Sequence, residues 1–375
     1  MNAEGIRFGS VGASAAVDRA GAPVICFPFA GGIAGGSHIS VIKLIRSLDR
    51  QRFTPLIIVH HEQGEVADMF RREGLAFERA PVPYHFGHAA GIASAKGPGR
   101  LLRAVAAQLR LVRFLRARRV RIVHTNEGPM HATWALPARL AGARLLWHHR
   151  ATPDARGLKY LAPLLADRIV SVSRFALSQS PLARAAHCSV VYSPFDADDA
   201  AVDRESARRV LIAELGVSAD TRIVGFFGNF VDRKRPLVFV DAIAAMARRA
   251  PAIPVVGVMF GAVVDGTLEA AVRERTREAG IAGRVRLMGF RYPGLPWLSA
   301  CDVHAVTAVD EPFGRSLIEA MLIGTPVVAV ASGGNSEAIC DGVNGLLTPP
   351  DDAEAMAGRI LELLGNPAEA TAMAV

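Results

Sequence analysis

Hydrophobic and polar positions alternate between two patterns along the first half of the chain. Short apolar runs predict buried β-strands at "PVICFPF" (23–29), "TPLIIVHH" (54–61), "VRIVHTN" (120–126), "ARLLWHH" (143–149) and "DRIVSVS" (167–173). Segments between them, such as "SHISVIKLIRSL" (37–48) and "HATWALPARLAG" (131–142), repeat apolar residues every three or four positions and predict helices. This steady alternation predicts an α/β fold, with a parallel sheet and right-handed crossovers.

The same alternation restarts after a break near residues 191–203. The segment "VYSPFDADDAAVDRE" (191–205) is polar, acidic and proline-containing, which indicates a linker. Strands and helices then follow at "RIVGFFGNF" (222–230), "PLVFVDAIAAMARRA" (236–250), "IPVVGVMFG" (253–261), "TLEAAVRERTREAG" (267–280), "RVRLMGF" (284–290), "VHAVTA" (303–308) and "TPVVAVA" (325–331). We therefore predict two doubly wound, Rossmann-like domains, 1–195 and 196–375, with a ligand between them at the carboxyl ends of the strands.

The net charge of +8 is unevenly distributed between the halves. Residues 1–200 carry 26 Lys and Arg against 14 Asp and Glu, whereas residues 201–375 carry 17 against 21. The basic half indicates an anionic partner, and no nucleic-acid-binding pattern accompanies the charge, so we expect no nucleic acid. The helical segment 100–119 places Arg103, Arg110, Arg113 and Arg116 roughly opposite its leucines. A solvated face is the simpler interpretation, and contact with an anionic membrane surface is the alternative.

Composition also bears on the location of the protein. The chain has no apolar run of 18 residues, and its first residues lack the basic start and apolar run of a secretory signal. Its four cysteines are far apart and form no C-x-x-C pair. We expect free thiols, a cytoplasmic location that includes the inner membrane face, no metal site and no bound cofactor. The D-x-D within "FDADD" (195–199) lies in the predicted linker rather than at a strand end.

The stretch "DEPFGRSLIEAMLIGTPVVA" (310–329) carries the most specific chemistry. Pro312 and Gly314 precede a short apolar helix whose first N–H groups, from Phe313 to Leu317, are expected to face a phosphate. Glu311 and Glu319 are suited to accept hydrogen bonds from sugar hydroxyls. The simpler alternative is a first-turn acid and a solvated helix residue. A glycosidase pair is disfavoured, because eight residues of helix span ~12 Å and such pairs need roughly 5–9.5 Å.

A second cluster follows the strand that begins the second series. The loop in "GFFGNFVDRKRP" (225–236) places Arg233, Lys234 and Arg235 at the carboxyl edge of the sheet, on the side expected for Glu311. Cations there would stabilise a leaving diphosphate in the absence of a metal. A solvated basic loop before a proline-started helix is the alternative.

Taken together, these motifs resemble the retaining family-4 glycosyltransferases of the GT-B fold, also described as glycosyl transferases group 1. The resemblance rests on "GNFVDRKRP" and on E-P-F-G-x-S-x-x-E-A, G-T-P-V-V-A and G-G-x-x-E-x-I-x-D-G-x-N-G between about residues 222 and 350. Weaker similarity runs through "GGSHISVIKLIRSLD", "IVHTN" and "ADRIVSVS". The resemblance implies two Rossmann-like domains facing each other across a cleft, with a nucleotide-diphosphate sugar as co-substrate.

Carried over by position, the resemblance assigns the donor site. It implies that Glu311 contacts the donor sugar, that Lys234 binds the diphosphate and that Glu319 holds the ribose. The remaining donor-binding positions implied are Gly36, Asn229, Arg233, Phe290, Arg291, Phe313, Gly314, Arg315, Ser316 and Leu317. The chain departs from the family in having Asn229 where arginine is common and "SPFD" (193–196) before the linker, and the family's helix that returns to the first domain is not found before Val375.

The first half supplies the catalytic candidates on the acceptor side. Gly35 and Gly36 match the family's Gly-Gly turn, for which an ordinary tight turn is the alternative. His149 and Arg150 end a predicted strand, where the resemblance implies a histidine or arginine near the reacting sugar. The register leaves open which of His148, His149 and Arg150 faces the cleft, and His148 and Arg150 are expected on one strand face with His149 on the other.

We therefore expect a metal-independent, retaining hexosyltransferase-type enzyme, with Glu311, Lys234, His149 and Arg150 as catalytic candidates. It would move a sugar to a hydroxyl of a sugar or a lipid-linked acceptor in glycan, polysaccharide or glycolipid synthesis. Two alternatives remain. One is a nucleotide-sugar epimerase or hydrolase on the same fold, and the other is a non-catalytic protein that binds sugar nucleotides. The donor sugar, its base and the acceptor are not specified by the sequence.

Overall fold

The chain folds around two separate parallel β-sheets. The structure, a computed structural model, describes residues 21–32, 34–83, 85–86, 99–178, 187–196, 201–264 and 266–374. Seven strands form the sheet of the N-terminal domain, in the order β3-β2-β1-β4-β5-β6-β7, and six form that of the C-terminal domain, in the order β10-β9-β8-β11-β12-β13. The strand pairs in both sheets are parallel. The predicted fold class, two doubly wound Rossmann-like domains, is confirmed.

The N-terminal domain alternates strands and helices as the periodicity predicts. Its elements are β1 (Val24–Phe29), α1 (Gly36–Ser47), β2 (Thr54–Val59), α2 (Glu65–Arg72), β3 (Glu78–Arg79), α3 (Gly99–Ala117), β4 (Val120–Thr125), α4 (Gly128–Ala141), β5 (Arg144–His149), a π-helical turn (Gly157–Leu161) that continues into α5 (Ala162–Leu165), β6 (Arg168–Ser171), a 3-10 turn (Phe175–Leu177) and β7 (Cys188–Val190).

The C-terminal domain repeats the plan. Its elements are α6 (Arg204–Leu215), β8 (Arg222–Phe227), a 3-10 turn (Asp232–Lys234), α7 (Pro236–Arg249), β9 (Val255–Phe260), α8 (Gly266–Glu278), β10 (Val285–Gly289), α9 (Leu295–Ser299), β11 (Val303–Val306), α10 (Arg315–Leu322), β12 (Val327–Val330), α11 (Asn335–Ala338), β13 (Leu346–Thr348), α12 (Ala353–Gly365) and α13 (Pro367–Met373). Each strand and helix inferred from periodicity has its counterpart here, whereas the short elements, such as β3, α9 and α11, carry too few residues to show a period.

Helices cover both faces of the N-terminal sheet. On one face, α1 and α2 pack Val41, Ile45 and Phe70 against β1 and β2. On the other face, α3 and α4 pack Leu111 and Trp134 in a second apolar cluster with β4 and β5. Because each cluster is buried between a helical layer and the sheet, the strands are apolar on both sides and read as continuous hydrophobic runs.

In each sheet the strand order reverses at one point, and a doubly wound sheet has its ligand-binding crevice at that point. In the N-terminal sheet the point lies between β1 and β4, and in the C-terminal sheet it lies between β8 and β11. The chain leaves the carboxyl ends of these strands as the loops 30–35, 126–127, 228–235 and 307–314. Ligands of doubly wound folds bind at such switch points, and here two of them meet across one cleft.

Contacts between the domains close the two ends of this cleft. The Tyr292 hydroxyl of the C-terminal domain donates a hydrogen bond to Glu73, the residue that follows α2. At the other end, the Glu337 carboxylate accepts hydrogen bonds from the backbone amides of Arg174 and Phe175 and from the Tyr192 hydroxyl.

The four cysteines are free thiols, with Cys26 and Cys301 buried and Cys340 exposed. Within the part of the chain that the structure describes, no helix has both the length and the apolar character needed to cross a bilayer.

Candidate functional site

A cavity of about 610 Å³ lies between the domains, at the carboxyl ends of both sheets. This is the size range of sites for nucleotide-sized ligands. Most of the predicted site residues line it, from Gly36 and Arg150 on the N-terminal side to the donor-binding set on the other. Its charged lining consists of Lys43, Arg46, Arg150, Arg233, Lys234, Arg291, Arg315, Glu73, Glu311 and Glu319. Seven cations against three carboxylates favour a polyanionic ligand.

Glu311 lies at the centre of the charged groups in the C-terminal wall. The residue is 8% exposed, and its carboxylate accepts hydrogen bonds from Lys234 Nζ at 2.8 Å and from the Arg233 guanidinium. Burial alone would raise the pKa of this carboxyl, but the charges of Lys234 and Arg233 outweigh it and lower the pKa to about 2. The structure therefore joins the two clusters found in the sequence, and Glu311 is an anion whose partners are both cations.

Two glycines hold the turn that carries Glu311. Gly333 has a φ of 62°, and a Cβ there would lie 2.6 Å from the Glu311 carbonyl oxygen. A Cβ on Gly334 would lie 2.8 Å from the Pro312 carbonyl oxygen, and the Gly334 amide donates to the Glu311 carbonyl at 2.6 Å. Buried Asn335 adds hydrogen bonds to the carbonyls of Ala308 and Val330. The backbone of residues 333–335 thus packs directly on the backbone of the turn that carries Glu311. A side chain on either glycine would prevent this contact.

The N-terminal end of α10 opens into the cavity. Gly314 precedes the helix with a φ of 78° and ψ of 51°, a left-handed conformation that favours glycine. The first amides of a helix have no intrahelical acceptor, so Arg315 and Ser316 present N–H groups at this positive end. Leu317 differs from the prediction, because its amide donates to the Gly314 carbonyl at 3.1 Å and its side chain lies in the core. It is the one predicted donor residue that does not line the cavity.

Ser316 is oriented by a buried histidine that the sequence did not single out. His304 Nδ1 lies 3.1 Å from the Gly225 carbonyl and therefore carries the proton, which leaves Nε2 to accept from the Ser316 hydroxyl at 3.1 Å. Burial lowers the pKa of His304 to about 4, so the ring is neutral at neutral pH. The Ser316 hydroxyl proton therefore points towards His304, away from the cavity. The hydroxyl oxygen and the first amides of α10 lie on the cavity side.

Arg315 links Glu319 to the N-terminal domain. Its Nε lies 2.8 Å from Glu319 Oε1, one turn further along α10. Its NH1 donates to Ser40 Oγ of α1 at 2.9 Å, and its guanidinium lies over the Phe195 ring at 4.5 Å. A Cβ on Gly36 would lie 3.1 Å from the Arg315 Cδ, which explains glycine at that position. Burial is the main cause that raises the pKa of Glu319 and lowers that of Arg315, and their mutual attraction opposes both shifts.

The loop after β8 reaches both domains. The Asn229 side chain accepts from the Ala262 amide at 3.2 Å and donates to the Ala34 carbonyl of the N-terminal domain, also at 3.2 Å. Asn229 thus acts as an interdomain contact where the family pattern often has a cation. The Lys234 carbonyl accepts from the Thr307 hydroxyl at 2.7 Å, which fixes this loop to the Glu311 turn.

The opposite end of the cavity is formed by the segment after β10. Arg291 stacks over the Trp297 ring at 4.9 Å and donates to Glu214 at 2.6 Å. Phe290 and Tyr292 pack against the apolar cluster of the N-terminal domain. Flat side chains at this end, 290–292, offer surfaces on which an aromatic base stacks.

The strand β5 places its three candidates differently. His148 and Arg150 lie on one side, with 3.4 Å between His148 Nδ1 and the Arg150 guanidinium, and His149 turns the other way to the Thr152 carbonyl at 3.2 Å. The expected alternation is therefore confirmed, and of the three only Arg150 lines the cavity. Arg150 donates to Asn126 Oδ1 at 3.3 Å and to Ser193 Oγ at 3.2 Å. His149, a catalytic candidate from the sequence, lies behind the cavity wall.

A carboxylate–imidazole pair that the sequence did not reveal holds the glycine-rich loop. His38 Nδ1 accepts from the Gly35 amide at 3.0 Å, so its Nε2 carries the proton and donates to Glu127 at 2.7 Å. Glu127 also accepts from the Ala30 amide at 3.2 Å. Burial would raise the pKa of Glu127, but His38 and this amide lower it overall. The only sequence signal was the position of Glu127 directly after a strand.

Comparisons with known proteins show what the chain is similar to. Residues 221–366 match the family described as "Glycosyl transferases group 1". Two curated relatives match part of the chain. One is the D-inositol 3-phosphate glycosyltransferase of Corynebacterium urealyticum (33% identical, 45% of this chain and 40% of that protein), and the other is the lipopolysaccharide core biosynthesis glycosyltransferase LpsE of Rhizobium meliloti (32% identical, 41% of this chain and 43% of that protein). The chain thus matches less than half the length of each relative.

A solved structure extends the comparison over both domains. HepE of Anabaena, crystallised with UDP and glucose, superposes with a TM-score of 0.77 at 25% identity and covers 93% of this chain and 92% of its own. The described part of the chain therefore has the GT-B fold across both domains, and residues 221–366 are similar to the glycosyl transferases of group 1.

Proposed function

We propose that this protein transfers a sugar from a nucleotide-diphosphate sugar to a hydroxyl acceptor, with retention of the anomeric configuration. The observation that carries the proposal is the convergence, in one interdomain cavity, of the α10 N-terminus, the Glu311–Lys234 ion pair and Glu319. A single ligand could then place its diphosphate at the positive groups and its sugar hydroxyls at the carboxylates.

The leaving diphosphate is placed at the positive groups. The α10 amides at Arg315 and Ser316 bind its oxygens, and Lys234 and Arg233 neutralise the charge that grows as the sugar–phosphate bond breaks. Glu311 holds these two cations at the cavity surface. We infer that no metal ion or other cofactor is needed, because protein cations take the role that a divalent ion has elsewhere.

The rest of the donor follows from this placement. Glu319, one turn into α10, accepts from the ribose hydroxyls once the donor displaces Arg315 from its carboxylate. The base lies towards Phe290 and Arg291. Since HepE was solved with UDP and glucose, UDP-glucose is the first donor to test.

We assign the acceptor side to the N-terminal wall, where Arg150, Gly35 and Gly36 line the cavity. A retaining transfer brings the acceptor hydroxyl to the face that the diphosphate leaves, so the β-phosphate oxygen can take its proton. The acceptors named for the relatives, inositol phosphate and lipopolysaccharide core, suggest a polyol or glycan hydroxyl, on a free sugar or on a lipid carrier at the cytoplasmic membrane face.

The test uses neighbouring cations with opposite placements. Lys234→Ala removes a cation from the cavity, whereas Arg235→Gln removes one that pairs with Asp351 and does not line it. We expect Lys234→Ala to lose the thermal stabilisation by UDP and to lower transfer from UDP-glucose about 100-fold, and Arg235→Gln to retain both. Equal behaviour of the two variants would refute the assignment.

Product analysis separates the other two enzyme classes. Donor consumed fully without acceptor would indicate an epimerase or a hydrolase. UDP binding with no turnover over a broad panel of donors and acceptors would indicate a non-catalytic binding protein.

A further inference from the structure

One helical layer of the N-terminal domain exposes an unusual amount of apolar surface. It consists of α3, α4 and the segment 157–165, which cover the same face of the sheet. Leu102 is 71% exposed, Tyr160 67% and Leu164 76%, and Leu109, Leu136 and Leu140 are each about half exposed. On the opposite face, α1 and α2 leave no large apolar side chain exposed along their described lengths.

The exposed side chains belong to one continuous surface. The Gln108 amide donates to the Thr133 carbonyl at 3.4 Å, and the Arg116 guanidinium donates to the Leu140 carbonyl at 2.6 Å, so α3 and α4 lie side by side. The segment 157–165 adjoins α4, because Leu158 and Ala162 are buried in the same cluster as the core side of α4. We refer to this outer surface of residues 102–116, 136–140 and 157–165 as the apolar–basic face.

Its charge is almost entirely positive. The three segments of the face contain five arginines, one lysine and no carboxylate. The longer stretch 99–167 contains 13 arginines and lysines, one of them Arg150 of the cavity, and three carboxylates. Glu127 is bonded to His38 in the cleft, and Asp167 is held by Arg139 and Arg144, which leaves Asp154 as the remaining acid. On α3 itself, the exposed arginines at 103, 110 and 113 flank the exposed leucines with no acidic residue among them.

We propose that the apolar–basic face docks on a membrane surface containing anionic lipids. Leucines in the middle of a row of arginines match an interfacial helix, with the apolar side chains among the acyl chains and the guanidinium groups at the lipid phosphates. A second copy of the chain fits less well, because a two-fold interface would set this basic surface against itself.

The orientation places the cleft next to the bilayer. Helices that connect parallel strands begin at the carboxyl edge of the sheet, so α3, α4 and the turn at Gly157 all start on the cavity side. Docking through this face thus presents the N-terminal wall of the cavity to the membrane. The proposal does not rest on the proposed function, because binding to vesicles needs neither donor nor acceptor.

Flotation with lipid vesicles tests the proposal on the full chain. Vesicles of phosphatidylcholine alone are compared with vesicles that include about 30% phosphatidylglycerol, at low salt. We expect flotation with the anionic vesicles only. Arg110→Gln with Arg113→Gln should weaken it about 25-fold, at about five-fold per arginine. Leu102→Gln with Leu164→Gln should weaken it by at least about tenfold.

Matched controls lie on the C-terminal domain. Arg209→Gln with Arg273→Gln removes two exposed arginines, and Val343→Gln changes an apolar side chain that is 65% exposed. These variants should float as the unaltered protein does, and UDP-induced thermal stabilisation should persist in all of them. The proposal is overturned if the protein ignores anionic vesicles, or if the control variants lose binding equally. It is also overturned by a dimer in sedimentation experiments, if this dimer does not float with vesicles and the leucine substitutions dissociate it.

Discussion

The C-terminal wall of the cavity is built mainly from three short stretches, 227–234, 290–295 and 311–319, whereas the N-terminal wall joins residues as distant in sequence as Gly36, Arg150 and Ser193. In the first, glycine backbones contact one another and a single carboxylate gathers two cations. In the second, side chains support side chains, as Glu127 supports His38. The donor side is thus a compact, local construction, and the acceptor side is an assembly of separate strands.

The sharpest way to break this comparison is to place a methyl group in the C-terminal wall. Gly333→Ala sets a Cβ 2.6 Å from the Glu311 carbonyl oxygen at a φ of 62°. We expect a loss of about 4 kcal/mol or more in the free energy of unfolding, from urea titration, together with loss of UDP-induced stabilisation.

Gly342→Ala is the control for that substitution. Gly342 has a similar φ of 75°, but its Cβ would meet no atom within 4 Å. Only backbone strain applies there, so we expect about 1–2 kcal/mol and normal UDP binding. Equal losses in the two variants would show that the close approach to Glu311 is unimportant.

Acid should destabilise the N-terminal domain, which has several buried histidines, more than the C-terminal domain, whose sequence contains His304 alone. Burial lowers the pKa of His60 and that of His124 to about 3 each, from 6.5. Below pH 6.5 these rings take up protons when the chain unfolds but stay neutral when it is folded. The free energy of unfolding is therefore highest above pH 6.5 and declines as the pH falls. Each histidine then costs about 2 kcal/mol between about pH 7.5 and pH 5. In the C-terminal domain His304, whose pKa burial lowers to about 4, adds a similar loss, whereas the contribution of Glu311, whose pKa is lowered to about 2 from 4.5, is lost only below pH 4.5.

Tryptophan fluorescence measures this difference. With Trp297→Phe, the remaining tryptophans lie in the N-terminal domain, where Trp134 donates to His60 at 3.1 Å. The urea midpoint of this signal should fall between pH 7.5 and pH 5, and His60→Gln should reduce the dependence. A midpoint constant over this interval would contradict the buried neutral histidines.

A smaller effect is expected at Arg150. Arg150→Gln removes a cation that donates to Asn126 and Ser193 at the acceptor wall. Transfer should fall about tenfold while UDP-induced stabilisation is retained, since a charged hydrogen bond contributes about 1.5 kcal/mol. Arg144→Gln, at the far end of the same strand, is the control. A loss of UDP binding in Arg150→Gln would mean that both walls serve the donor.

The smallest effect is expected from metal removal. Lys234, Arg233 and the α10 amides carry the charge of the diphosphate in the proposed function, so EDTA should leave the transfer rate within about twofold. A rate abolished by EDTA and restored by Mg²⁺ would assign that charge to a metal ion instead.

Much of the C-terminal wall was predictable because its residues are neighbours in sequence. Pro312, Gly314 and Glu319 lie at fixed offsets around one helix start, and the structure places all three in the cavity lining. Leu317 was the exception, since a helix start uses some of its amides in its own first turn. The His304–Ser316 hydrogen bond was not predictable, because it depends on how β11 packs beneath α10.

The N-terminal wall was predictable only in outline. Strand alternation separated His149 from His148 and Arg150, but the side that faces the cavity depends on the sheet's orientation to the other domain. Nothing near Arg315 in sequence reveals Ser40 as its partner. The arginines of α3 were expected opposite its leucines, but Leu102 and Leu109 are exposed beside them, because a helix period does not show which side other elements cover.

The sequence by itself determined the strand–helix order, the two parallel sheets and the helix end that faces the cavity. These depend on hydrophobic periodicity and backbone geometry, which act over a few residues. Tertiary structure alone decided that Arg315 joins Glu319 to Ser40, that Arg150 rather than His149 lines the cavity, and that one helical layer keeps its leucines exposed. Those outcomes depend on which surfaces meet, and pairings between distant segments leave no period in the chain.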